Sequence, residues 1–217
     1  MCPLQKSGNV YLSSRGFSEE LLRKFRIGQI GNARDIGQEL VRKFGVGRLI
    51  DAGLITPRST ATNIRLTMPD HTIVFPFIER GKIAYFQGRV LGEAKSGQKW
   101  FNLPGRTRRT FNVDELDAKG SQLAICEGVS DTLSAEELGF RSIGILGVSY
   151  GLPDDQIQKL KGKDIILLLD WDDAGEARAA TLEEELCKRG IMVTRKSQPS
   201  PGIKDMNQFL MSARGLA

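Results

Sequence analysis

Asp164-Ile165-Ile166-Leu167-Leu168-Leu169-Asp170-Trp171-Asp172-Asp173-Ala174-Gly175 is the stretch on which the fold turns. Residues 165–169 are aliphatic without a break, so the segment they form has no polar face to offer water. The run is too short for a buried helix and reads as a central strand of a parallel sheet. Asp170 and Asp172 stand just past its carboxyl end. A helix is predicted from there over 173–189, with Gly190 as its stop.

The same alternation continues on both sides. Residues 123–126 predict a short strand, 130–138 a helix ended by Gly139, and 142–146 a second strand. Pro153 opens a helix at its favoured first position, running to residue 161. Residues 191–194 predict a fourth strand, and a last helix begins near Asp205. Strands and helices in strict alternation imply a parallel sheet with right-handed crossovers. Ligands of such sheets bind beyond the carboxyl ends of the strands. With the first and third strands adjacent, Glu127 and Asp170 meet there.

Three carboxylates at one sheet edge (Glu127, Asp170 and Asp172) repel one another and make no sense as a structural core. A divalent cation removes the objection. Hard oxygen ligands suit Mg²⁺ or Mn²⁺, and such ions stabilise attacking and leaving oxygens in phosphoryl transfer. An Asp-x-Asp or a Glu-Gly at a strand end is alone an ordinary turn element. Both together, each after an apolar strand of one α/β unit, carry the metal reading.

Upstream the grammar differs. Ser18 can cap a helix with Glu19 and Glu20 in its first turn and Leu21, Leu22 and Phe25 on one face. A second helix is predicted over 32–44, and 46–53 adds a short turn. Residues 72–78 and 82–91 are β-type, joined at Glu79-Arg80-Gly81 in a tight hairpin. From Lys95 to Arg109 the chain is basic and Gly-rich, and reads as exposed loop. A boundary is expected in Asp117-Ala118-Lys119-Gly120-Ser121, which divides a mixed α+β basic subdomain, 1–118, from an α/β subdomain, 119–217.

Composition narrows the chemistry further. The 217 residues include 31 Lys and Arg against 26 Asp and Glu, with the cations dense in the first half, which suits a polyanionic partner. No apolar run approaches the roughly 20 residues that span a bilayer, and the first residues lack the apolar stretch of a signal peptide, so a cytoplasmic location with no membrane partner is expected. Cys2, Cys126 and Cys187 are scattered and His71 is the single histidine, so no disulfide framework and no zinc site can be assembled. Trp171 is expected to pack locally, Cys126 to lie in the core and His71 at the surface. Trp100 beside Lys99 suits single-strand contact, and Arg106-Thr107-Arg108-Arg109 can grip phosphates.

Cys126-Glu127-Gly128-Val129-Ser130-Asp131 and Leu169-Asp170-Trp171-Asp172-Asp173-Ala174-Gly175 resemble the two motifs of the TOPRIM domain, in the form found in bacterial DnaG-type primases. Gly202-Ile203-Lys204-Asp205-Met206-Asn207-Gln208-Phe209-Leu210 is similar to the element that closes the primase version. Ile145-Leu146-Gly147-Val148-Ser149 falls where that family has a Leu-Gly-Thr loop, with Val148 in place of Thr. Tyr11 to Ser18, Phe25-Arg26-Ile27-Gly28, Ile73-Val74-Phe75-Pro76-Phe77, Gly88-Arg89-Val90-Leu91 and Gln98 to Gly105 follow the order of the primase polymerase core. The resemblance covers about residues 8–212.

It implies a TOPRIM, Rossmann-like parallel sheet with flanking helices behind a smaller basic subdomain, and a nucleotidyltransferase that copies single-stranded DNA into short RNA primers. Glu127, Asp131, Asp170 and Asp172 would be the catalytic set, with two Mg²⁺ or Mn²⁺ ions on Glu127, Asp170 and Asp172. Arg89, Lys99, Trp100, Arg106, Arg108 and Lys204 would bind template and NTPs. Asp154 or Asp155 falls near another acidic position of the family. The family's zinc ribbon is not legible here, and the basic stretch before its Phe-Pro motif reads Met68-Pro69-Asp70-His71-Thr72. A replicative helicase would be engaged by regions this sequence does not include, so it is expected to be an excised core or a minimal primase-like protein. A TOPRIM nuclease using water as nucleophile, and a non-catalytic nucleic-acid-binding TOPRIM module, are the competing readings.

Overall fold

The computed structural model describes residues 2–92, 97–146 and 152–216. The chain divides into two compact units: Met1–Leu12, Leu22–Pro76 and Ile83–Arg108 form the first, and Ser13–Leu21, Phe77–Lys82 and Arg109–Ala217 the second.

The upstream elements are α1 (Lys6–Ser14), α2 (Glu19–Lys24), α3 (Ala33–Phe44) and α4 (Val46–Asp51), with a sheet of β1 (Gly28–Gln29), β2 (Thr72–Glu79), β3 (Lys82–Val90) and β4 (Trp100–Asn102) in that order. Local chemistry explains the starts and stops. The Ser18 hydroxyl accepts the Leu21 N–H at the head of α2, and the Asn32 side chain accepts from Arg34 and Asp35 at the head of α3. Leu21, Leu22 and Phe25 are buried, as their spacing predicts. Arg80 and Gly81 both take positive φ, 51° and 74°, the requirement of a two-residue type I′ turn between β2 and β3.

Three features differ from the sequence reading. Residues 6–14 form a helix that carries little apolar signal, because the buried residues it contributes are Gly8 and Leu12. The short strand β1 was not predicted. Within the basic stretch expected to be loop, 100–102 is a strand, pairing antiparallel with β3 so that Arg89 lies opposite Trp100. A three-residue strand has too little pattern of its own; pairing with β3 makes it one. Lys95 lies outside the described residues.

The second unit carries β5 (Gln122–Cys126), α5 (Val129–Glu137), β6 (Ser142–Gly144), α6 (Asp154–Leu160), β7 (Asp164–Leu168), α7 (Asp173–Lys188), β8 (Met192–Arg195) and α8 (Met206–Ala213). Its sheet is parallel, in the order β6-β5-β7-β8, with Cys126 in register with Leu168. Both faces are covered. Leu123, Ile125, Ile165 and Leu167 pack with Ile157, Leu182 and Leu186 on one side, while Ala124, Cys126, Ile166 and Leu168 pack with Ala135, Trp171 and Met206 on the other. Each such aliphatic side chain contributes about 1.5–3 kcal/mol by leaving water. This two-sided burial is the physical meaning of the unbroken apolar run in β7.

Candidate active site

Because β5 and β7 are neighbours in register, the residues that follow them are brought together. Glu127 comes directly after β5, and its carboxylate accepts a hydrogen bond from the Asp170 backbone N–H. Asp172 caps α7: its Oδ1 accepts the Gly175 N–H at 2.9 Å. The approach here is so close that a Cβ on Gly175 would lie 2.1 Å from the Asp170 carbonyl oxygen. Only glycine fits, and this holds Asp170 against the first turn of α7.

Two further carboxylates belong to the group. Asp131 lies in the first turn of α5. Asp205 caps α8, accepting the Gln208 N–H at 2.7 Å. The preceding Lys204 is exposed, and its carbonyl accepts the Trp171 N–H at 2.7 Å, which ties this segment to the Asp170–Asp172 loop. Trp171 itself is buried and donates its ring N–H to the Lys196 carbonyl at 2.9 Å, so it packs locally.

The carboxylates feel one another. Burial and then Glu127, Asp205 and Asp172 push the Asp170 carboxyl up to about 7. Burial and then Asp170, Asp205 and Glu127 hold Asp131 well above its ordinary range. Glu127 is raised by burial, opposed by the Arg178 guanidinium, and raised again by Asp172. Asp170 Oδ1 is buried and has no hydrogen-bond partner. An orphaned carboxylate oxygen among like charges is costly on its own and is what a hard divalent cation satisfies, so the donor set fits such an ion. Among the described residues, no group of three or more Asp, Glu, His or Cys side chains is arranged to hold one metal ion, so the fit is one of donor chemistry.

Arg89, Lys99, Trp100, Arg106 and Arg108 all fall in the first unit. The Arg89 guanidinium sits over the Tyr11 ring at 4.6 Å and the Trp100 ring at 5.7 Å, and Trp100 in turn packs on Phe75 with ring centres 5.6 Å apart. Trp100 is thus half-buried in an aromatic group, while Lys99, Arg106 and Arg108 are exposed. Arg109, which continues the basic run, pairs with Glu79 at 2.9 Å. Asp154 is bound at 2.6 Å by Arg189, at the far end of the sixteen-residue α7 from Asp172, about 24 Å along the helix, and so stands apart from the carboxylates. Gly147, Val148 and Ser149 of the expected loop lie outside the described residues.

Sequence reasoning quoted Asp205 without giving it a role, although an Asp immediately before a predicted helix is a legible cap signal. It missed Arg178 altogether. That residue lies on the buried face of α7 with Gly175, Ala179, Leu182 and Leu186, at a position whose helical phase is plain but whose charge has no sequence explanation.

Known proteins bear on this arrangement. Residues 3–112 match the family described as DNA primase catalytic core, N-terminal domain, and residues 124–210 match the Toprim-like family. The DNA primase of Geobacillus stearothermophilus is 29% identical over 203 residues, covering 88% of this chain and 33% of that protein. The DNA primase of Haemophilus influenzae is 29% identical over 189 residues, covering 82% and 31%. The chain therefore spans about a third of the length of the curated relatives it matches. Among solved structures, the DnaG catalytic core superposes with a TM-score of 0.76 at 26% identity, covering 97% of this chain and 70% of that one. The zinc-binding and RNA polymerase domains of the Aquifex aeolicus primase share the fold, with a TM-score of 0.79 at 23% identity over 98% of this chain and 55% of that one. A parallel sheet with acidic residues past β5 and β7, matched together with the region upstream of it, shows that the chain belongs to the DnaG-type DNA primase catalytic core family, with a TOPRIM fold.

Proposed function

We propose that this chain is a template-directed nucleotidyltransferase that makes short RNA primers on single-stranded DNA. The observation that carries the reading is the buried, unpartnered Asp170 Oδ1 set among Glu127, Asp131, Asp172 and Asp205 at the carboxyl edge of a parallel sheet. Glu127, Asp170 and Asp172 would hold two Mg²⁺ or Mn²⁺ ions, with Asp131 as a supporting acid. When bound, such ions neutralise charge that develops on the phosphate as a 3′-hydroxyl displaces pyrophosphate. The chain's own part is to hold the carboxylates: the Asp170 N–H fixes Glu127, and the helix cap fixes Asp172. Glu127 would serve either as a ligand to the ions or as the base that accepts the proton of the attacking hydroxyl.

Arg89, Lys99, Trp100, Arg106, Arg108 and Lys204 are proposed to bind template and nucleotide. Support comes from the relatives: those named above are DNA primases, and a DnaG primase catalytic domain of the same fold, 24% identical, has been solved bound to single-stranded DNA. We further propose that residues 119–217 carry the chemistry and 1–118 the template contacts, in a cytoplasmic protein that meets a replicative helicase through other regions. No helix among the described residues is long and apolar enough to cross a membrane. The same carboxylates with water as nucleophile would cut DNA; the match over residues 3–112 favours synthesis.

Incubation with single-stranded DNA, labelled NTPs and Mg²⁺ or Mn²⁺ tests the reading, with Asp170→Ala as control. Short labelled oligoribonucleotides from the wild type alone are expected. Metal-dependent cleavage of the DNA without synthesis would replace the reading by a nuclease.

A further inference from the structure

We propose that the first unit holds a binding site for a small, uncharged, hydrocarbon-like molecule of one or two rings, in the cavity between α3 and its sheet. The cavity measures about 200 Å³, and the residues around it all belong to that unit. Ile36 and Leu40 of α3 line it together with Val74 of β2, Phe86 of β3, and Leu66 and Met68 from the segment between α4 and β2. Two polar residues also reach it, and both turn their polar ends elsewhere. Gln29 accepts the Gln5 N–H on Oε1 at 3.1 Å and donates from Nε2 to the Ser7 hydroxyl at 3.1 Å. The Thr67 hydroxyl is directed at the Gly53 and Leu54 carbonyl oxygens, at 2.9 and 3.2 Å. The cavity is therefore lined almost wholly by apolar atoms.

That lining selects the occupant. A charged group placed there would lose its water and gain no partner. A peptide segment is excluded for the same reason, since its backbone N–H and C=O groups would go unpaired. The fold leaves this space although it has the apolar residues to close it. α3 is strongly amphipathic, yet Gly37 is its buried residue, and Ile36, Leu40 and Val41 on its apolar stripe stay half-buried. Protein interiors are packed like organic crystals, with few gaps larger than a water molecule. Side chains around such a gap forfeit dispersion contacts, and an apolar guest supplies them. An apolar cavity of about 150 Å³ stays dry and takes up benzene, so the volume here admits one to two rings.

Equilibrium dialysis of the full chain against naphthalene tests the assignment. Saturable binding of about one molecule per chain is expected. Leu40→Trp, which fills the cavity, is expected to weaken that binding at least about tenfold. A roughly tenfold excess of naphthalene-2-sulfonate, the same rings with a fixed charge, is expected not to displace the hydrocarbon. If Leu40→Trp does not fold, by circular dichroism, Leu66→Phe takes its place. No saturable binding to the wild type would mean that α3 closes the gap by itself, and overturns the proposal. Binding that the filled variant retains, or displacement by the sulfonate, overturns it too. So does a wild-type dimer in sedimentation that the filled variant does not form, which would assign the cavity to an interface between copies of the chain.

Discussion

The two units of this molecule carry opposite charge and handle it in opposite ways. The first holds 15 Lys and Arg against 5 Asp and Glu, the second 16 against 21. In the first, the cations are spread over the surface: Arg89 lies on the faces of Tyr11 and Trp100, and Lys99, Arg106 and Arg108 are exposed. In the second, the fold gathers like charges and leaves one carboxylate oxygen without a partner, that of Asp170, whose carboxyl is pushed up to about 7. Exposed cations cost little, and phosphates are the partners proposed for them; gathered, half-buried carboxylates are costly, and a metal is the partner proposed for those. The contrast matches the division of labour proposed above, and it can be attacked from either side.

The largest effect is expected at the carboxylates. Asp170→Asn should lower primer synthesis by at least about a thousandfold, on the scale of losing an electrostatic partner of the transition state. Because it removes one of several mutually repelling charges, the same variant should melt higher than wild type in metal-free buffer. Mn²⁺ should raise the melting temperature of the wild type and not of the variant. A variant that melts lower without metal would mean that the acids are structural after all.

Gly175→Ala comes next. With its Cβ aimed at the Asp170 carbonyl oxygen from 2.1 Å, the substitution should cost more than about 2 kcal/mol of stability by chemical denaturation, since backbone cannot step aside as a side chain would. An unperturbed protein would show that α7 does not brace Asp170.

In the first unit, Arg89→Ala should weaken binding of single-stranded DNA about tenfold and flatten its salt dependence by roughly one phosphate contact. Lys99→Ala should flatten the salt dependence similarly with a smaller loss of affinity. Equal binding by all three proteins would detach the aromatic group from template contact and leave it a packing device.

The smallest effect concerns a charge that the second unit does satisfy. Burial works to raise the Glu137 carboxyl, but the Ser18 hydroxyl and N–H and the Arg214 guanidinium outweigh it and hold the group below its usual value. A lowered native carboxyl stabilises the fold above the unfolded value of about 4.3, and that contribution disappears as pH falls through the lower native value. Glu137→Gln should therefore cost about 1 kcal/mol at pH 7 and nothing measurable near pH 3 in urea titrations. A cost that persists in acid would mean that the pair acts through shape and not charge.

Much of this was readable in advance because it is written at short range. The period of the apolar residues announced the β/α alternation, and Gly139 and Gly190 marked helix ends through the backbone conformations they permit. The acids just past two apolar strands could be assigned to one sheet edge once neighbouring order was assumed. The aromatic seat of Arg89 was not readable, since Tyr11, Phe75 and Trp100 are scattered in sequence and a three-residue strand has no pattern of its own. Nor was Arg178, where helical phase predicts an apolar residue.

By itself, then, the sequence determined which elements form and that Glu127, Asp170 and Asp172 end strands of one parallel sheet, because hydrogen-bond periodicity and capping act between near neighbours. The tertiary structure alone decided which charges act on one another: Asp131 and Asp205 on Asp170. Coulomb forces depend on distance through space, and that distance exists only once the sheet has been assembled and the helices packed on its faces.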